Sequence, residues 1–98
     1  MIQHIVCFRF KDGTAPEQIA EAGAGLLAMR GRIPEIRSIS FGPNLAPSAT
    51  EYSHVLVVVV DDMAAVRRYG DHPVHLETVS TFLAPIREAR LALDIEAP

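Results

Sequence analysis

Positions 2–10, IQHIVCFRF, are rich in β-branched and aromatic residues, contain neither Gly nor Pro, and are closed by Lys11, Asp12 and Gly13 with turn chemistry. A strand is predicted there. The period then changes: Thr14 and Glu17 match a capping box, Pro16 suits a first helical turn, and Ile19, Ala22, Gly23, Leu26 and Leu27 recur at helical spacing. This helix is expected to run to about Arg30, before Gly31 and Pro34. Residues 36–42, IRSISFG, read as a second strand, and residues 43–51, PNLAPSATE, as a loop. Residues 52–60, YSHVLVVVV, are the strongest strand signal in the chain. Asp61 and Asp62 then offer an N-cap for a helix from Met63, interrupted at Gly70 after Tyr69. Asp71 or His72 can cap a restart with Pro73 in its first turn, and His75, Val79, Phe82, Leu83 and Ile86 line one face of it. Residues 88–95, EARLALDI, alternate as a closing strand.

The order β-α-β-β-α-β is the ferredoxin-like α+β plan, in which right-handed crossovers place both helices on one face of a four-stranded antiparallel sheet. Residues 1–98 are expected to form one such domain. The other sheet face has no cover within the chain. Every residue from Val55 to Val60 is apolar, so both faces of that strand ask for burial, whereas a sheet with one wet face alternates. The first strand agrees, with Ile2, Val6, Phe8 and Phe10 on one side and Ile5 and Cys7 on the other. A second copy of the chain is the simplest cover, and a homodimer with its sheets face to face is expected.

Composition narrows the classes. A chain of 98 residues has room for one domain but not for separate cofactor and substrate halves. Nine basic against twelve acidic side chains, with Lys11 the single lysine, give no basic patch for a phosphate backbone, so no nucleic-acid partner is expected. One cysteine makes no internal disulfide, redox pair or thiolate cage, which points to the reducing cytoplasm. The N-terminus has no positive region, and the apolar run Val55 to Val60 falls far short of the ~20 residues of a membrane span, so no membrane partner is expected. Apolar residues make up 49% of the chain, more than one small domain readily buries.

The unusual polar population is four histidines, His4, His54, His72 and His75. Strand parity puts His4 on the face of Ile2, Val6 and Phe8, and helical spacing puts His75 at the head of an apolar stripe. A buried imidazole needs a hydrogen-bond partner, so these residues contact each other, contact Tyr69, or face a polar cavity. Two readings stay open. In one, His4 and His75 are satisfied core histidines or line a dimer seam. In the other, Tyr69-Gly-Asp-His72-Pro-Val-His75 forms an acid/base pocket around a helix break, with a phenol to donate, imidazoles to accept protons, and backbone N–H groups of the restarted helix to steady an enolate. The histidine spacing matches no standard zinc motif, and no metal is expected. Cys7 reads as a small buried apolar residue and Arg67 and Arg68 as a solvated helix face. Gly23 and Gly25 offer close packing or cavity space rather than a phosphate loop.

The opening strand MIQHIVCFRFK, the segment YSHVLVVVVDD and above all RRYGDHPVH resemble the stress-responsive A/B barrel domain family, often abbreviated Dabb. The resemblance spans nearly the whole chain and implies a dimeric α/β barrel of two ferredoxin-like subunits. The family's best-understood functional relative, a plant olivetolic acid cyclase, closes a polyketide ring by aldol condensation without a cofactor. By that resemblance Tyr69 and His75 match the catalytic pair, with His75 the general base and Tyr69 holding the substrate carbonyl, while His4 and His72 match pocket positions. Val6, Phe8, Leu26, Phe82 and Ile86 are expected to complete a cavity for a small, largely apolar carbonyl or polyketide-like ligand. Helix one departs from the cyclase, with Ala22, Gly23, Leu26 and Leu27 where the cyclase has bulky aromatics. Three functions follow as expectations: a cofactor-free cyclase, a non-catalytic ligand-binding or accessory protein, and a cofactor-free monooxygenase. The scarcity of aromatics, six percent of the chain with no Trp, disfavours the last.

Overall fold

Strand β1 (Ile2–Phe10) and strand β3 (His54–Val60) form the centre of a four-stranded antiparallel sheet, flanked by β2 (Ser38–Pro43) and β4 (Arg87–Glu96) in the order β2-β3-β1-β4. This computed structural model describes residues 1–98. Helices α1 (Pro16–Leu27), α2 (Met63–Asp71) and α3 (Pro73–Thr78) complete the ferredoxin-like α+β fold, with a short 3-10 turn at Pro47–Thr50 and a π turn at Val79–Leu83. None of the helices is long and apolar enough to cross a membrane.

Element ends depart from expectation for local reasons. Pro16 holds its predecessor extended, so Ala15, not Thr14, takes the N-cap position of α1. The Gln18 side chain accepts from the Ala15 N–H at 2.9 Å, while the Thr14 hydroxyl turns back to the Lys11 carbonyl. Helix α1 stops at Leu27 because the chain tightens into i to i−3 bonds at Met29 and Arg30, and Gly31 then takes a φ of 87°, a conformation that favours glycine. Met29, Ile33 and Ile36 are thereby drawn into the core, and β2 starts after them at Ser38. Tyr52 and Ser53 remain in the loop, where Asn44 binds both of their carbonyls.

The second helical region breaks at His72, not at Gly70. Asp62 caps α2 by accepting from the Ala65 N–H at 2.8 Å, and the helix runs through Gly70 to Asp71. Pro73 then forces His72 to ψ 135°, because the proline ring clashes with a helical predecessor. The helical face of the sheet carries the core: Phe8, Leu26, Leu56, Val58 and Tyr69 are almost wholly buried, and right-handed crossovers keep all three helices on that side.

The opposite face is apolar and bare. Register places Ile5 between Val57 and Leu93, and Cys7 between Val55 and Leu91, so these side chains project together away from the helices. Leu91, Leu93 and Ile95 stay 42%, 45% and 48% exposed. Exposed apolar side chains gathered on one sheet face in this way ask for cover that the chain itself does not supply.

Small residues in α1 set the spacing between helix and sheet. A Cβ on Gly23 would lie 2.9 Å from the Phe41 ring, and one on Gly25 only 2.6 Å from the Phe82 ring. Both glycines therefore serve close packing, not cavity space. Gly25→Val is expected to lower stability by about 1–3 kcal/mol through overpacking, read as a lower urea midpoint with an unchanged slope.

Candidate active site

A cavity of about 380 Å³ lies between the sheet and the helices. Strand β1 contributes His4, Val6 and Phe8 to its floor, because alternate residues of a strand share a face. Helix α1 adds Leu26, α2 adds Tyr69, and α3 adds His75. Three rings stand in a row. The His4 and Tyr69 centroids are 5.7 Å apart in an edge-on arrangement, and Tyr69 and His75 are 4.6 Å apart. Tyr69 is thus held between two imidazoles, which realises one of the contacts that parity allowed.

Each polar ring has a defined role in hydrogen bonding. Strand pairing sets His4 opposite Asp94, whose carboxylate accepts from His4 Nδ1 at 2.6 Å. His75 Nδ1 lies 2.9 Å from the Gly70 carbonyl oxygen. A carbonyl only accepts, so the proton of the neutral ring sits on Nδ1 and the Nε2 lone pair is left free. The break at His72 is what makes the Gly70 carbonyl available, since carbonyls in the last turn of a helix lack intrahelical partners. Tyr69 is 2% exposed, yet no side-chain polar atom is sealed without a partner, and its hydroxyl bonds to no protein group. That hydroxyl therefore opens into the cavity.

Burial adjusts both groups. Tyr69 has its pKa raised by burial, so the phenol keeps its proton and remains a donor. His75 is shifted below the ordinary histidine value, chiefly by burial, with the nearby His4 and Arg90 adding to the shift and the Gly70 bond opposing it. A neutral imidazole with a free Nε2 next to a protonated phenol can accept a proton while the phenol supports developing negative charge.

The other named residues fall elsewhere. His72 lies outside the cavity lining: its Nδ1 accepts from the Val74 N–H at 3.1 Å and its carbonyl accepts from Leu76, so the restarted helix spends its first donors on its own cap. The Val74 and Leu76 N–H groups are therefore not free to steady an enolate. Phe82 packs against Gly25 and Ile86 is buried in the core, and neither reaches the cavity. His54 stacks on Phe41 at the far end of the sheet, with centroids 5.6 Å apart. No three His, Cys, Asp or Glu side chains converge as an ion-binding group. Sequence reasoning did not single out Asp94, Arg87 or Arg90, and it named Asp71 only as a possible cap within the helix-break segment. For Arg90 and Asp94 the signal was present, since EARLALDI sets Arg90, Ala92 and Asp94 on one parity and Leu91, Leu93 and Ile95 on the other.

Residues 2–97 match the family described as the stress responsive A/B barrel domain. The chain belongs to that family. Among its A/B barrel relatives is the stress-response A/B barrel domain-containing protein HS1 of Arabidopsis thaliana, 26% identical over 87 residues, which make up 87% of this chain and 80% of HS1. The crystal structure of the Arabidopsis thaliana protein At3g17210 superposes with a TM-score of 0.90 at 25% identity, covering 100% of this chain and 96% of that one. A dimeric ferredoxin-like protein of unknown function from Thermobifida fusca gives a TM-score of 0.83 at 30% identity, over 98% and 90% of the two chains. Two further similar structures, from Bacteroides fragilis and a Jannaschia species, are likewise described as dimeric.

The downward shift at His75 has a sign. In the unfolded chain histidine titrates near 6.5, and in this A/B barrel His75 takes its proton only at lower pH. Between those values the unfolded state binds more protons, so the His75 contribution to stability is fully present above about 6.5 and is lost as pH falls from there through the lower folded value. His75→Gln is expected to flatten this acid-side loss in urea titrations between pH 7 and 5, and NMR should place the His75 midpoint below that of a model histidine peptide.

Proposed function

We propose that the cavity binds a small, largely apolar carbonyl compound of polyketide type and promotes an aldol-type ring closure without a cofactor. The observation that carries this reading is the pairing of Tyr69 and His75 at 4.6 Å between ring centroids, with Nε2 free and the phenol protonated. His75 Nε2 takes a proton from the carbon between two carbonyls. Tyr69 donates a hydrogen bond to the oxygen of the enolate that forms, offsetting its charge where water is scarce. The enolate carbon then attacks a third, more distant carbonyl of the same molecule, forming the new carbon–carbon bond, and the imidazolium returns its proton to the resulting alkoxide. His4, held by Asp94, fixes the far side of the Tyr69 ring.

The fold hosts different chemistries. A hydroxynitrile lyase from Passiflora edulis shares it at a TM-score of 0.84 and 23% identity, over 99% of this chain and 93% of that one. A cofactor-independent oxygenase from Streptomyces nogalater shares it at 0.76 and 20%, over 99% and 92%. At those identities only the fold carries over. Phe8 and Tyr69 are the aromatic residues of the cavity wall, which offers little for a flat polycyclic oxygenase substrate to stack on.

The same proposal includes a homodimer joined through the bare face of Ile5, Val57, Leu91 and Leu93. Burying that face would put its apolar surface to use at about 25 cal/mol per Å². The wild type is expected to scatter light as two chains at micromolar concentration and Leu93→Asp as one.

Chemistry is tested by hydrogen exchange into the acidic carbon of a β-diketone in deuterated buffer without oxygen. His75→Ala is expected to slow exchange about 10²–10⁴-fold and Tyr69→Phe about 10²–10³-fold, each with diketone affinity nearly unchanged. Binding without exchange in the wild type would leave a ligand carrier, and exchange or cyclisation that needs oxygen would point to the oxygenase.

A further inference from the structure

Two cations in the cavity wall have no partner in the protein. Arg87 and Arg90 line the cavity beside His4, Tyr69 and His75, yet neither takes part in the chain's ion pairs, which join His4 to Asp94, Arg9 to Glu88, Arg37 to Asp61 and Arg68 to Glu35. Their common direction is built into β4. An unbroken strand would send residues 87 and 90 to opposite faces. Here the ladder slips by one: Arg9 pairs with Ala89 and Phe10 with Arg87, so Glu88 is the extra residue and its carboxylate accepts from Arg9 instead. The bulge returns Arg87 to the face of Phe10, Phe8 and Arg90, the face that looks into the cavity. Bulges of this kind re-aim side chains beside functional sites.

The charge balance of the cavity is opposite to that of the whole chain. The protein carries a net charge of −3, whereas the cavity wall presents two guanidiniums against one carboxylate, Asp71, which lies beyond ion-pair reach of both. A guanidinium set against apolar lining favours an anionic partner, and a carboxylate matches its planar fork of donors. Arg90 is also near enough to His75 for its charge to disfavour the imidazolium, which sets the cation and the free Nε2 in one electrostatic neighbourhood.

We infer that Arg87 and Arg90 bind a carboxylate of the cavity's ligand, so that the substrate class is a keto acid whose acidic end lies on β4 and whose reacting carbonyl lies at Tyr69. The inference rests on the reading of the cavity as a ligand site. The two ends then divide the labour. Charge fixes orientation at β4, and the apolar body lies along Val6, Phe8 and Leu26.

The test compares two probes of equal shape, 4-butylbenzoate and 4-butylbenzamide, titrated into the wild-type protein while NMR follows the His75 ring. The benzoate is expected to bind at least about tenfold tighter, with a preference that shrinks as salt rises. Arg87→Gln combined with Arg90→Gln should remove that preference and leave benzamide affinity within about twofold, since the amide does not call on the charge. Equal affinity of the two probes for the wild type, or a preference that survives the double substitution, would overturn the role of the arginines while leaving the cavity as a ligand site. If neither probe moves the His75 resonance, the ligand-site reading fails and the inference falls with it. The wild-type comparison needs no variant, so it decides even if the double variant does not fold.

Discussion

The site depends on a backbone constraint imposed by one proline. Pro73 cannot tolerate a helical residue before it, so His72 is driven to an extended conformation and one helical run becomes two. The consequences follow along the chain. The broken end of α2 leaves the Gly70 carbonyl without a helical donor, His75 supplies that donor through Nδ1, and the imidazole is fixed in the tautomer that leaves Nε2 free. His72 meanwhile spends its own ring on capping α3. Two histidines three residues apart thus receive opposite assignments from the same break, one structural and one facing the cavity.

The histidine and tyrosine side chains also illustrate how a small domain holds polar groups near its core. An unpaired polar group in such a place would cost about 1–3 kcal/mol, and none of these is left sealed and unpaired. His4 has Asp94, His75 has Gly70, and Tyr69 has the cavity itself. Burial that would be a pure cost for a charged group here favours the neutral imidazole and the protonated phenol. The same desolvation therefore sets a proton acceptor beside a proton donor in one cavity.

The sheet distributes its two faces between two tasks. One face closes on the helices and contains the cavity, and the other gathers Ile5, Cys7, Val57, Leu91 and Leu93 into an apolar surface. Strand β4 serves both because its parity turns Arg90, Ala92 and Asp94 inward and Leu91, Leu93 and Ile95 outward, and its bulge adds a second arginine to the inner set. The apolar excess of a 98-residue chain is thus divided between a core and an exposed sheet face.

Sequence alone determined the elements, their order and the fold, because strands and helices write their period directly into residue spacing and the turns carry Gly, Pro and Asp at the positions that need them. It also determined that His4, Tyr69 and His75 would share the inner side, since parity and helical spacing are local rules. The break at His72 was equally local and was misplaced at Gly70 only because glycine draws more notice than the residue before a proline. What the tertiary structure alone decided was pairing across distance. His4 meets Asp94 across ninety intervening steps of chain, Gly25 yields its space to Phe82, and Phe82 and Ile86 turn away from the cavity although their helical spacing aligned them with His75. The π turn at Val79–Leu83 widens the helical period and rotates that stripe, and the slip in the β1–β4 ladder does the same for Arg87. Both are irregularities of period, and a sequence read by period cannot register them until neighbouring elements fix where each extra residue goes.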